Sequence, residues 1–133
     1  METRYDLLIV GAGPGGYVAA KKAAGLGMKA AIIDRGPVGG TCINRGCIST
    51  KALLHAATLY REMKECEKFG LSAEKVSFDL QKIYEYKDLS AAEMREDLEK
   101  EFEVLGVTVI HGDARIIGNR RVRVTDSEGT ATD

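Results

Sequence analysis

Two kinds of apolar pattern follow one another from the start of the chain. Tyr5 to Val10 (YDLLIV) is a short, nearly continuous apolar run, which reads as a strand buried on both faces. It enters Gly11-Ala12-Gly13-Pro14-Gly15-Gly16 directly. Tyr17 to Leu26 is alanine-rich, with Lys21 and Lys22 available for an exposed side, and predicts a helix stopped by Gly25-Leu26-Gly27. Met28 to Ile33 (MKAAII) predicts a second strand, closed by Asp34. Arg35 to Gly40 holds a proline and glycines and reads as a loop.

The second half of the pattern is helical, then extended. Between Ala52 and Phe69, the residues Leu53, Leu54, Ala57, Tyr60 and Met63 recur at helical spacing, and Gly70 stops the run. Leu71 to Phe78 is a connection. Asp79 is a candidate N-cap for a long helix reaching Leu105, ended by Gly106. Its apolar stripe comprises Leu80, Ile83, Tyr84, Met94, Leu98, Phe102 and Leu105; the charged remainder reads as solvated face. Val107 to Ile110 reads as a further buried-type strand, and His111-Gly112-Asp113-Ala114 as a turn. Arg115 to Ile117 and Arg121 to Thr125 predict short strands around Gly118-Asn119. Asp126 to Gly129 is a turn, and Thr130 begins a returning strand of a small antiparallel meander.

Composition narrows the classes. The 133 residues suit one domain, and 44% apolar against 29% charged permits a packed core. A net charge of −1, from 19 basic and 20 acidic residues, argues against a nucleic-acid surface. No run of about 18 apolar residues exists for a membrane span. Met1 to Asp6 is charged and Leu7 to Val10 is too short for a signal-peptide core, so a cytoplasmic location is expected. In that compartment the three cysteines are expected to be catalytic, metal-binding or inert.

Gly11, Gly13 and Gly16 have the G-x-G-x-x-G spacing between a predicted strand and a predicted helix. The first glycine allows the tight turn, the second a close approach of backbone to a pyrophosphate, and the third close helix–strand packing. A pyrophosphate would sit at the helix N-terminus, where amides and dipole favour anions. Asp34, eighteen residues after Gly16, is placed to accept from ribose hydroxyls. These features predict dinucleotide binding without separating FAD from NAD.

Gly39 to Lys51 (GGTCINRGCISTK) concentrates the remaining chemistry. In a regular helix Cys42 and Cys47 would lie about 140° apart and too far for a disulfide. If they bond, the backbone must bend between them, as Asn44 and Gly46 permit. Cys42 is then expected in a turn and Cys47 at a helix start, where a thiol ionises more readily. Lys51 would share the face of Cys47 one turn on. A structural disulfide and a zinc site are the competing readings, although zinc usually takes two close ligand pairs and only Cys66, His55 and His111 remain. Cys66 reads as a small core filler, His55 as an ordinary helix residue, and His111 as part of the turn.

GGTCINRGCISTKALL resembles the redox-disulfide segment of the FAD-dependent pyridine nucleotide-disulfide oxidoreductases (class I), above all their dihydrolipoamide dehydrogenase branch. The opening from Tyr5 to Asp34 is similar to the FAD-binding start of the same family, and the likeness thins between Ser72 and Leu105. The resemblance implies an α/β fold: a Rossmann-like FAD-binding domain with a central parallel sheet, flanking helices and a small antiparallel β-meander at the C-terminal end. It implies that Gly11, Gly13 and Gly16, with Pro14 and Arg35 beside them, hold FAD, and that Asp34 takes its ribose, where the family usually has glutamate. Gly40 and Thr41 would line the cofactor, with Lys51 near the flavin ring and Gly112 and Ala114 at the adenine. Cys42 would exchange with a dithiol and Cys47 would face the flavin. The implied reaction oxidises protein-bound dihydrolipoamide, passing electrons through the disulfide and FAD to NAD.

Two departures accompany the resemblance. Where the family commonly reads C-I-P-S-K, this chain has Ser49 and Thr50, which removes a preset φ from the first helical turn. The chain is also short, and residues 1–133 are expected to form the N-terminal part of an FAD-binding domain. The family's NAD-binding and dimer-interface domains would lie outside it, so the 133 residues alone are expected not to turn over. The implied partners are a lipoyl-bearing protein of a 2-oxoacid dehydrogenase or glycine cleavage complex and, for the full-length protein, a second copy; no nucleic acid or membrane is expected. Glutathione or mercuric reductase, and a dinucleotide-binding module without turnover, are the alternative readings.

Overall fold

A computed structural model describes residues 3–133; the charged start at Met1 and Glu2 lies outside them. Strand β1 (Leu7–Val10), helix α1 (Pro14–Gly25) and strand β2 (Ala30–Asp34) form the opening unit. After α2 (Gly40–Arg45), α3 (Cys47–Lys64) and α4 (Leu80–Leu105), the chain returns to the sheet as β3 (Thr108–His111). The sheet is parallel in the order β1-β2-β3, with Ile32 opposite both Ile9 and Val109. A separate antiparallel meander, β4 (Asp113–Gly118), β5 (Arg121–Thr125) and β6 (Ala131–Thr132), completes the fold. The α/β architecture implied by the resemblance is present.

The strand expectations divide by position in the sheet. β2 is central, and Ala30, Ala31, Ile32 and Ile33 are all buried. Among the described residues β1 and β3 each pair on one side only, and their residues are half-buried or exposed; Val10 is 53% exposed. The apolar run therefore marks the strands but not their rank. His111 is the last residue of β3, opposite Asp34, rather than part of a turn. The change of direction falls on Gly112, whose N–H donates to the Asp34 carbonyl at 3.0 Å, and Asp113 already belongs to β4. At the β4–β5 hairpin, Asn119 and Arg120 both have positive φ, the backbone that matches a two-residue hairpin to strand twist.

α1 packs on β1 and β2, and α4 packs against α1, α2 and α3. The core between them contains Ala12, Ala20, Ile32, Val38, Ile43, Leu98 and Phe102. Asp79 caps α4 as expected, accepting the Lys82 N–H at 3.2 Å, and Gly106 closes it at φ +72°. At 26 residues α4 is about 39 Å long, far more than a four- or five-residue strand beneath it. The predicted stripe is accordingly buried only where α4 meets the core between the sheet and helices α1 and α2. Leu98 and Phe102 are buried, whereas Leu80, Tyr84, Met94 and Leu105 are exposed. α3 ends earlier than the periodicity suggests, at Lys64, followed by a tight turn of helix from Cys66 to Phe69. Cys66 is buried there, with its thiol 3.6 Å from the Leu71 carbonyl.

Candidate active site

The glycine turn joins β1 to α1. Gly13 is the N-cap of α1, Pro14 opens the helix, and neither a side-chain cap nor an acidic residue occupies its first turn. The first-turn amides are thus left for an anion, and the dipole adds to the attraction. A Cβ on Gly16 would collide with the Gly11 carbonyl oxygen, so this position must be glycine for α1 to lie so close to β1. A Cβ on Gly13 would meet nothing within 4 Å, so the side from which a pyrophosphate would approach is open. The turn fits a dinucleotide.

Asp34 ends β2 with its carboxylate against the backbone. One oxygen accepts the Ala12 N–H at 2.7 Å and the other the Gly36 N–H at 2.8 Å. A carboxylate has about four lone-pair sites, so two remain for ribose hydroxyls. Beside it lies a pocket of about 230 Å³ lined by Gly11, Asp34, Arg35, Gly112, Asp113 and Ala114. It gathers most of the residues expected to hold the adenosine end, from three separate segments of the chain. Arg35 reaches out to Asp113 at 3.7 Å, in a pair too exposed to contribute much.

The two cysteines are bonded. Their Cα atoms are 4.6 Å apart, within the usual range of about 4.4–6.8 Å. The expected break is at Gly46 (φ −127°, ψ −105°), between α2 and α3. Cys47 is the first residue of α3, as anticipated, but Cys42 lies in the short helix α2 rather than a turn. Cys47 is exposed and Cys42 half-buried. Thr41 and Lys51 are both exposed, Lys51 one turn beyond Cys47. Among the described residues no group of three or more His, Cys, Asp or Glu side chains is placed to hold a metal ion. His55 is exposed, far along α3 from the glycine turn in sequence, and lines an apolar groove between α3 and α4.

The disulfide loop and the glycine turn are brought together by the segment between them. The Gly39 N–H donates to the Ala12 carbonyl at 2.8 Å, and Gly40 begins α2. Two polar residues complete this assembly: Asn44, which lies inside α2 and braces the loop rather than bending the chain, and Arg95, which no motif singles out. The Asn44 amide donates to the Val38 and Gly40 carbonyls, each at 2.9 Å, and its oxygen accepts from Arg95 Nη1 at 2.9 Å. The one sequence signal for Arg95 is its spacing: it falls on the same face of α4 as Ala91, Leu98 and Phe102, all buried.

Residues 5–133 match the family model described as "Pyridine nucleotide-disulphide oxidoreductase". The chain is 40% identical over 127 residues to a dihydrolipoyl dehydrogenase from Staphylococcus aureus, covering 96% of this chain and 27% of that protein. It is 41% identical over 127 residues to a mitochondrial dihydrolipoyl dehydrogenase from Dictyostelium discoideum, covering 94% of this chain and 26% of that one. The fold is similar to the crystal structure of LpdA from Mycobacterium tuberculosis, with a TM-score of 0.85 at 24% identity over 95% of this chain and 28% of that one. The chain therefore spans about a quarter of the length of the relatives it matches. With a bonded cysteine pair set beside a dinucleotide turn, it belongs to the pyridine nucleotide-disulphide oxidoreductase family.

Proposed function

We propose that the chain is the FAD-holding and disulfide-exchanging portion of a dihydrolipoyl dehydrogenase. The observation that carries this reading is the Cys42–Cys47 disulfide at the start of α3, on a loop hydrogen-bonded to the glycine turn through Gly39 and Ala12. The first-turn amides of α1 would hold the pyrophosphate of FAD, the two remaining acceptor sites of Asp34 its ribose, and the Gly112–Ala114 segment its adenine. Lys51 and Thr41 would lie towards the flavin. Bound FAD supplies the two-electron acceptor between the cysteine pair and NAD.

The chain's own chemistry is thiol–disulfide exchange. A thiolate of the substrate dithiol attacks Sγ of Cys42, which breaks the Cys42–Cys47 bond and releases Cys47 as thiolate at a helix N-terminus. The substrate's second thiolate then attacks its own sulfur in the mixed disulfide, closing the cyclic disulfide and releasing Cys42. The substrate loses two electrons, which the cysteine pair gains; its two thiol protons leave to solvent as its thiolates form, and the released cysteine thiolates are protonated from solvent. In this reading NAD-linked turnover, the homodimer and docking to a lipoyl-bearing protein of a 2-oxoacid dehydrogenase or glycine cleavage complex belong to the whole cytoplasmic protein, and the 133 residues alone do not turn over. Among the described residues no helix is long and apolar enough to cross a membrane.

Dihydrolipoamide added to the oxidised chain tests the reading. Two new thiols per chain, counted under denaturing conditions against untreated protein, are expected, together with binding of added FAD seen as quenched flavin fluorescence. No new thiols and no flavin binding would overturn it.

A further inference from the structure

The face of α4 that meets the core carries two half-buried charges, Lys87, which is paired with Asp88, and Arg95. Ala91, Leu98 and Phe102 are buried, and Arg95 stands among them, half-buried. Among the described residues Arg95 has no ion pair; its hydrogen bond goes to Asn44, 51 positions earlier and between the two cysteines. Such a placement costs desolvation, which a hydrogen bond from a charged donor offsets in part.

The Asn44 amide is almost fully used. Its two N–H groups reach Val38 and Gly40, and its oxygen takes Arg95. Val38 is buried, and the next residue, Gly39, is bonded to Ala12 of the glycine turn. A chain of contacts thus runs from α4 through Asn44 to the loop and on to the dinucleotide turn. None of these bonds involves sulfur; they tie α2, which carries Cys42, to the loop before it and to α4 independently of the disulfide. Fixing the helix that carries Cys42 narrows the positions its thiol can take relative to Cys47, five residues on, which raises the effective concentration of one thiol at the other and favours their oxidation.

We propose that Arg95 is a positioning residue which, through Asn44, sets the thiol–disulfide equilibrium of Cys42 and Cys47. The inference rests on the redox reading of that pair.

The test is the equilibrium of the 133-residue chain in glutathione buffers. Oxidation forms the Cys42–Cys47 bond and breaks the S–S bond of one oxidised glutathione; two electrons and two protons pass to it and yield two reduced glutathiones. Arg95→Met keeps the aliphatic stem and removes the donors, and it is expected to lower the oxidation constant about tenfold, or about 30 mV for a two-electron couple. Arg95→Lys restores a donor and should recover part of the shift. Lys21→Ala removes an exposed tie between α1 and α4, the Lys21–Glu101 pair, and should leave the constant within about twofold. Asn44→Ala should shift it as Arg95→Met does, and the double variant no further. Thermal unfolding of each oxidised variant separates loss of stability from the redox effect. An Arg95→Met constant equal to the wild type's, at whatever melting temperature, overturns the role of Arg95 and leaves the exchange reading standing. A wild-type chain whose pair stays reduced across the buffer range overturns both.

Discussion

Asp34 accepts the Ala12 N–H at 2.7 Å, so the end of β2 braces the turn that follows β1. The acid that the sequence assigns to a ribose thus already holds the glycine turn in shape. Asp34→Asn would place an N–H₂ group against the Ala12 or the Gly36 amide. A loss of about 1–3 kcal/mol is expected from the unsatisfied donor, measured by urea unfolding, together with weaker FAD binding. Unchanged stability would mean that the carboxylate serves the ribose alone.

Gly16 is expected to tolerate no side chain. Gly16→Ala puts a methyl group onto the Gly11 carbonyl, and α1 must move away from β1. Overpacking of this kind costs about 1–3 kcal/mol. Flavin binding should fall further than stability, because the same shift displaces the first-turn amides; titration with FAD beside a melting curve checks this.

The two cysteines should fail differently. Cys47→Ser leaves Cys42 able to form a mixed disulfide that no internal thiol resolves, so an adduct with an activated lipoyl disulfide should accumulate in a mass spectrum. Cys42→Ser should give little adduct if Cys42 is the exchanging sulfur. Because Cys47 is the more exposed in the folded chain, the opposite result would reverse the two roles.

Phe102 and Leu80 belong to one predicted stripe but not to one environment. Phe102 is 1% exposed and Leu80 52%. Phe102→Ala should cost about 3–5 kcal/mol, a large share of the roughly 5–15 kcal/mol of a typical domain. Leu80→Ala should cost about 0.5 kcal/mol or less. Chemical denaturation of both variants measures the difference.

At the meander, the hydrogen bond from Arg123 holds the Asp133 carboxyl below its ordinary range, with Arg123 and Arg121 charges assisting. A depressed folded-state pKa adds stability above the unfolded value and loses it as pH falls through the folded one. The effect should appear only in acid, below the usual carboxylate range, and should fade with salt, since the pair is exposed. Asp133→Asn should remove it from an acid-unfolding profile.

The order of elements apart from the short helix α2, the glycine turn, the Asp79 cap, the Gly106 stop and the bend at Gly46 are legible in the residues. Each follows from local chemistry: a missing Cβ, a side-chain oxygen facing free amides, a backbone forced out of its helix. Periodicity also marks α4, but not which part of it is buried. That depends on how much of a 26-residue helix reaches the shared core. In the same way β1, β2 and β3 have similar apolar runs, and only their order in the sheet makes β2 the buried one. Pairing partners far apart in the chain leave no local trace either. The Gly112–Ala114 segment meets Asp34 only because β3 lies beside β2, and Arg95 meets Asn44 only because α4 crosses the disulfide loop. The sequence by itself singled out Cys42, Cys47 and the glycine turn as the candidate chemistry, because residue type and short spacing mark them. The tertiary structure alone decided what braces them, because contacts across the core depend on the path of the whole chain.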